Sequence, residues 1–168
     1  LKKFHAASPE EVVNSKWYHG TAREVPNFTN DKPTFVTTDP RFANRFAEYE
    51  TTNHAWDEAA QKWVPTETSN FAPNVMPLHV RAENPWDHTN PDHVQAVLDR
   101  LYEYRPLETN ADRMRLMHGD WENIEMPYIQ REIKGLGHDA FFVNEGGQRN
   151  LAVYNPASQL KSATGNAG

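Results

Sequence analysis

No cysteine occurs among the 168 residues. That excludes a disulfide framework and any Cys-ligated zinc site, and it fits a reducing compartment. Long apolar runs are also missing. None approaches the roughly 18–20 residues of a membrane span, so no membrane partner is expected. Positive charge is not in excess: 17 Lys and Arg stand against 23 Asp and Glu, for a formal net charge of −6. A nucleic-acid face needs clustered cations to neutralise phosphates. Cations scattered among acids disfavour that partner, although a local basic pocket for a small phosphate ligand stays open. The first residues, Leu1-Lys2-Lys3-Phe4, carry neither an initiator Met nor an apolar signal core. They read equally as the start of a piece excised from a longer polypeptide or as a scar of tag removal. No Walker loop, GxGxxG, HExxH, GxSxG or EF-hand loop occurs.

What is present is aromatic. Five Trp, six Tyr and eight Phe supply large buried areas per side chain, enough for one core in a chain of this length. Residues 1–168 therefore read as a single domain, with an N-terminal helix within 1–15 and a flexible tail at 161–168. Ser8-Pro9-Glu10-Glu11 has the form of a helix start, with Ser8 as N-cap. Lys16 to His19 reads as a brief strand ended by Gly20, and Thr34 to Thr37 as a second strand. Thr38-Asp39-Pro40 caps a helix over 41–50 with Phe42, Ala43, Phe46 and Ala47 on one stripe. Residues 51–74 read as a long polar loop carrying Trp56 and Trp63. A strand follows at 75–82. Helices are expected over 91–105, where Val94, Val97, Leu98 and Leu101 recur at helical spacing, over 111–118, and over 126–134. Ala140 to Val143 and Leu151 to Tyr154 form a closing hairpin around Gly146-Gly147. Short strands first, helices in the middle and a hairpin at the end make an α+β order.

Several residues carry candidate chemistry. Gly20 lets a ligand approach the backbone closely, so its N–H and C=O could clamp an amide while the His19 ring donates to a hydroxyl. The plain alternative is a structural histidine that satisfies a carbonyl. Phe35 and Phe46 could sandwich a flat heterocycle, or simply belong to the core. Glu145, at the hairpin corner beside an apolar strand, could stabilise a developing cation, or be a solvated turn acid. The eight His residues invite a metal reading. However, His88 and His93 flank Asn90-Pro91 and share no helix face, while His79 and His138 lie on different segments, so no metal site is expected.

The order of these segments resembles the ADP-ribosyltransferase superfamily, most closely the small transferase-like domains of phage and mobile-element polyproteins. Tyr18-His19-Gly20-Thr21 is similar to its opening strand motif. Pro33 to Pro40, with Ala43 and Phe46, is similar to its second strand and following helix. Val80 to Pro85, Gly119 to Glu122, Ile133 to Val143, Asn150 to Tyr154 and Gln159 to Ser162 complete the likeness, which runs from residue 17 to the end.

The resemblance implies a split, mixed β-sheet core with peripheral helices that cradles NAD as substrate. It implies that His19 holds the adenine-side ribose or a nearby hydroxyl, that the Gly20 backbone clamps the nicotinamide carboxamide, and that Phe46 closes the nicotinamide pocket. Phe35 stands where the family's stacking aromatic is commonly Tyr. Tyr18, Thr21 and Ala43 belong with the NAD-binding set. The acid that meets the nicotinamide-side ribose departs from the pattern. The position before the final strand is Asn150, where many members carry Glu. Gln148 lies two residues earlier, and Glu145 is the only nearby carboxylate, which favours Glu145 as the catalytic acid. Arg23 or Arg41 could pair with the pyrophosphate, although each singly reads as a surface arginine. The implied activity is transfer of ADP-ribose to a protein acceptor in a bacterial host cytoplasm, with delivery as a virion component, by a chain favoured to be monomeric. An NAD glycohydrolase and a non-catalytic NAD-cleft module that inhibits a host protein are the alternatives. The 51–74 segment is the candidate for acceptor recognition.

Overall fold

The computed structural model describes residues 1–21, 28, 30–68, 74–104 and 109–164. In chain order the elements are α1 (Lys2–His5), α2 (Glu10–Asn14), β1 (Trp17–Thr21), β2 (Thr34–Thr37), α3 (Pro40–Thr51), β3 (Thr52–Asp57), β4 (Lys62–Thr68), β5 (Asn74–Val80), β6 (Pro85–Trp86), α4 (Pro91–Tyr102), α5 (Thr109–His118), α6 (Trp121–Ile124), α7 (Pro127–Gly135), β7 (Ala140–Glu145), β8 (Gln148–Val153), α8 (Pro156–Gln159) and β9 (Leu160–Ser162).

Local chemistry accounts for many of these boundaries. The Asp39 carboxylate accepts from the Arg41 N–H (2.9 Å) where α3 begins. Asn90 caps α4 by accepting from the Asp92 N–H (2.9 Å), with Pro91 in the first turn. The expected stripe of α4, Val94, Val97, Leu98 and Leu101, is buried in full. Gly146 and Gly147 both have positive φ, 59° and 90°. That is the backbone a two-residue hairpin loop requires, because its twist matches that of the flanking strands.

Seven strands form one sheet in the order β6-β7-β8-β2-β1-β5-β9. Every pairing is antiparallel except β6 with β7. One face of β7 and β8 presents Phe141, Val143 and Ala152 to a core shared with α4 and α7 through Leu98, Leu101, Ile129 and Ile133. The other face presents Phe142, Leu151 and Val153 to a core with Val12, Trp17 and Val36. The sheet is thus covered on both sides. The peripheral helices supply the burial that a strand of alternating pattern needs on each face. Glu132 is buried within α7, where Arg100 (2.7 Å), Arg131 (3.2 Å) and the Tyr104 hydroxyl (3.3 Å) satisfy its carboxylate.

Several expectations are corrected. Residues 1–15 form two short helices, and Ser8 caps neither. Its hydroxyl accepts from the Ala82 N–H (3.1 Å), which ties the N-terminal segment to the chain beyond β5. β1 does not end at Gly20 but runs through it to Thr21. The stretch 51–74 expected as a loop instead carries β3 and β4, and its residues 69–73 lie outside the described residues. β3 and β4 pair with each other, and Trp56 sits opposite Trp63. Lys161 and Ser162 are not a frayed tail, because β9 pairs with β5. Residues 165–168 lie outside the described residues. α6 and α8 were not foreseen; each has only four residues, too few for periodicity to register.

Candidate active site

The sheet is nearly parted between β1 and β2. β1 pairs with β5 over five residues, and β2 with β8 over four. The two strands meet each other at one registered pair, Tyr18 with Thr37. An antiparallel register advances by two residues on one strand as it retreats by two on the other. The next rung would be Gly20 with Phe35, and it is not formed. The His19 ring donates instead from Nδ1 to the Phe35 carbonyl oxygen (2.8 Å). A side chain thereby takes the acceptor that a ladder bond from β1 would use, and it props the strands apart. His19 also meets the Phe28 ring edge-on at 5.6 Å. Its structural bond is therefore present, and the proton expected to reach a ligand hydroxyl is committed at Nδ1.

Gly20 is buried for a reason beyond ligand access. A Cβ there would lie 1.9 Å from the Ala43 carbonyl oxygen, so α3 rests directly on β1. Ala43, which makes that contact, and Ala47 are the buried alanines of α3. Phe46 is 47% exposed, so it is not a core residue. Phe35 is half-buried and packs edge-on against Phe141 at 5.9 Å, anchored to the helix-covered core. Tyr18 is half-buried and Thr21 buried; Thr21 pairs with Asn74.

The acid corner stands on the far side of β2. Thr37 faces Tyr18 on one side and Asn150 on the other. Two strand spacings of about 4.8 Å therefore set Tyr18 and Asn150 about 10 Å apart. Asn150 is 1% exposed, and its Nδ2 donates to Glu145 Oε1 (3.1 Å). Its Oδ1 has no hydrogen-bond partner among the described residues. Glu145 is half-buried, and burial pushes its carboxyl pKa up against the opposing bond from Asn150. Glu125, just past α6, is also pushed up, by burial and then by the Glu145 charge. Gln148, opposite Glu145, donates to the Thr38 hydroxyl (3.2 Å). The approach of Glu125 had no signal in the sequence, since it depends on how α6 packs against the hairpin, whereas the Asn150–Glu145 contact spans only five residues within the β7–β8 hairpin.

Other candidates fall elsewhere. Arg41 lies on the surface, paired with Asp39 at 3.3 Å, and Arg23 is outside the described residues. Among the described residues no group of three or more His, Asp or Glu could hold a metal ion, and no helix is long and apolar enough to cross a membrane.

A mostly antiparallel mixed sheet, with peripheral helices and a seam between its first two strands, defines an ADP-ribosyltransferase-like fold. Residues 14–168 match the family model for ADP-ribosyltransferase in polyvalent proteins (ART-PolyVal), and the chain belongs to that family. No curated protein and no solved structure matches the chain.

Proposed function

We propose that the chain transfers ADP-ribose from NAD to a protein acceptor of a bacterial host, with NAD lying across the β1–β2 seam. The observation that carries this reading is the unformed Gly20–Phe35 rung. Gly20 pairs with Val75 on the β5 side, while on the β2 side no registered pair follows Tyr18–Thr37 among the described residues. A backbone N–H and C=O turned to that side would match the donor and acceptor of one amide, and the nicotinamide carboxamide is such a group. Phe46, exposed one turn beyond the Ala43 contact, supports closure over the nicotinamide ring. Phe35 backs the seam from the core side, and Tyr18 and Thr21 flank the clamp. His19 holds the adenine-side ribose with its ring already oriented by Phe35.

Glu145 is the catalytic acid in this reading. Cleavage of the bond between the nicotinamide nitrogen and the anomeric carbon sends the electron pair to nicotinamide, which leaves without a proton. Positive charge gathers on the ribose, and a carboxylate fixed beside it lowers the barrier. The acceptor nucleophile then bonds to the anomeric carbon and gives its proton to the carboxylate or to water. The Trp56–Trp63 pair, edge-to-face at 5.7 Å with Trp63 66% exposed, supports the β3–β4 hairpin as the acceptor-facing surface. Asn150, standing where the family commonly carries Glu, favours one second reading: an NAD-cleft module that binds without turnover.

The test is incubation with NAD labelled in its adenylate half, with and without a bacterial lysate. Nicotinamide release with label on protein supports transfer, whereas free ADP-ribose alone indicates hydrolysis. His19→Ala and Glu145→Ala should each lower the rate by about 10²–10³-fold. Absence of NAD binding by calorimetry would refute the reading.

A further inference from the structure

We propose that Arg149 is a positioning residue for the acid corner, held there by a carboxylate from the segment that precedes the family match. The proposal rests on the reading of Glu145 as the catalytic acid. β2 ends at Thr37 opposite Asn150, so the two residues of β8 before Asn150 have a strand neighbour on one side only. There β7 pairs Asn144 with Arg149 and Glu145 with Gln148. The β8 arm of the hairpin tip is therefore half-supported by the sheet, whereas the β7 arm, which carries Glu145, is bridged at Asn144, whose N–H donates to the Gly119 carbonyl (2.7 Å). A hairpin alone is marginally stable in water.

Arg149 supports the β8 arm from the opposite face. Side chains alternate along β8. Gln148 and Asn150 point toward the acid corner, and Arg149 points toward the face that carries Phe142, Leu151 and Val153. Its guanidinium lies 3.8 Å from the Phe142 ring centroid. Nε and Nη2 donate to the Glu11 carboxylate at 2.7 and 3.1 Å, and Nη1 and Nη2 donate to Asp87 at 3.4 and 3.2 Å. A planar fork that meets two carboxylates while stacked on a ring has little freedom left.

The Asp87 carboxylate is itself fixed, and the Glu11 backbone is anchored by its neighbour. Asp87 accepts from the N–H and hydroxyl of Thr89 (2.9 and 2.7 Å), and its own N–H donates to His93 Nδ1 (2.9 Å). Glu11 precedes Val12, which is 1% exposed and whose carbonyl accepts from the Trp17 indole (2.9 Å). Residues 1–13 lie outside the family match, yet they hold one arm of this clamp. The chain of contacts runs Glu11 and Asp87, Arg149, β8, Asn150, Glu145.

The test uses Arg149→Lys and Glu11→Gln in the full chain. Lysine keeps the charge but cannot bridge two carboxylates as a fork. Both variants should keep the wild-type far-ultraviolet dichroism. Amide hydrogen exchange across residues 144–150 should accelerate by at least about ten-fold. The kcat for nicotinamide release should fall by about 10–100-fold, while KM for NAD stays within about two-fold. Wild-type exchange at the hairpin tip, or faster exchange with unchanged kcat, overturns the positioning role. If Arg149→Lys fails to fold, Glu11→Gln decides by the same two readouts. If the wild-type chain releases no nicotinamide, the enzymatic reading fails, and exchange alone then decides whether the clamp holds the corner.

Discussion

Replacing Gly20 with Ala drives a methyl group into the main chain of α3. The new Cβ would lie 1.9 Å from the Ala43 carbonyl oxygen and 2.8 Å from its carbonyl carbon, whereas an ordinary carbon–oxygen contact is about 3.3 Å or more. The helix must retreat by more than about 1 Å. Overpacking costs about 1–3 kcal/mol. Contact with three main-chain atoms, which cannot rotate away, puts Gly20→Ala near 3 kcal/mol on that scale. At about 2–4 °C per kcal/mol for a chain of this size, Tm falls by roughly 6–12 °C. The retreat also moves Phe46, which lies on the same helix, so under the proposed role of Phe46 NAD affinity should fall in the protein that remains folded. Thermal unfolding followed by calorimetric titration with NAD, below the lowered Tm, separates the two effects. Adding Ala43→Gly should not rescue stability, because the atoms in the way are backbone. A wild-type Tm for Gly20→Ala, or rescue by Ala43→Gly, would refute the reasoning.

Glu145→Gln should stabilise the folded chain at neutral pH while abolishing turnover. Burial raises the Glu145 pKa in the folded state, so stability is highest below the unfolded carboxyl pKa and is lost as pH rises through the folded one. Urea unfolding should show the variant's advantage at pH 7 and its disappearance in mild acid. Glu132 has the opposite sign. Burial works against its charge, but Arg100 and Arg131 outweigh that and hold its pKa below the usual carboxylate range. Its contribution is therefore present above the unfolded pKa and lost as pH falls through the folded one. Arg100 is 40% exposed and Arg131 remains, so Arg100→Gln should cost about 1–2 kcal/mol by urea unfolding, less than a fully buried pair would. Trp63→Ala removes half of an exposed edge-to-face pair and should cost no more than about 1 kcal/mol. Labelling of the acceptor protein should drop more than nicotinamide release, and equal losses would argue against the hairpin as the acceptor surface.

Elements set by neighbours within a few residues were legible beforehand. The α4 stripe, the Asn90-Pro91 start, β2 and the Gly146-Gly147 turn follow from periodicity, capping and φ preference, all of which act over one or two turns of chain. The residues of the seam could likewise be named in advance, because Tyr18-His19-Gly20-Thr21 and the segments after it form a recognisable order. Patterns without a long-range partner misled. Two polar stretches, each with one Trp, read as a loop because neither alternates strongly enough to announce a strand, and they became β3 and β4 only by pairing with each other. Phe46 shared a stripe with Ala43 and Ala47, yet only the small residues are buried, because α3 lies against Gly20 too closely for a phenyl ring to fit between.

The sequence by itself therefore determined which residue types stand at the proposed site: a His-Gly pair on the first strand, aromatics on the second strand and its helix, and one carboxylate at the closing hairpin. Tertiary structure alone decided how they act together. Register between strands separated by more than a hundred residues set Asn150 opposite Thr37, which faces Tyr18 on its other side. A single histidine bond to the Phe35 carbonyl stopped the β1–β2 ladder after one rung. Both depend on which strands lie side by side once the sheet is assembled, and no local stretch of chain encodes that.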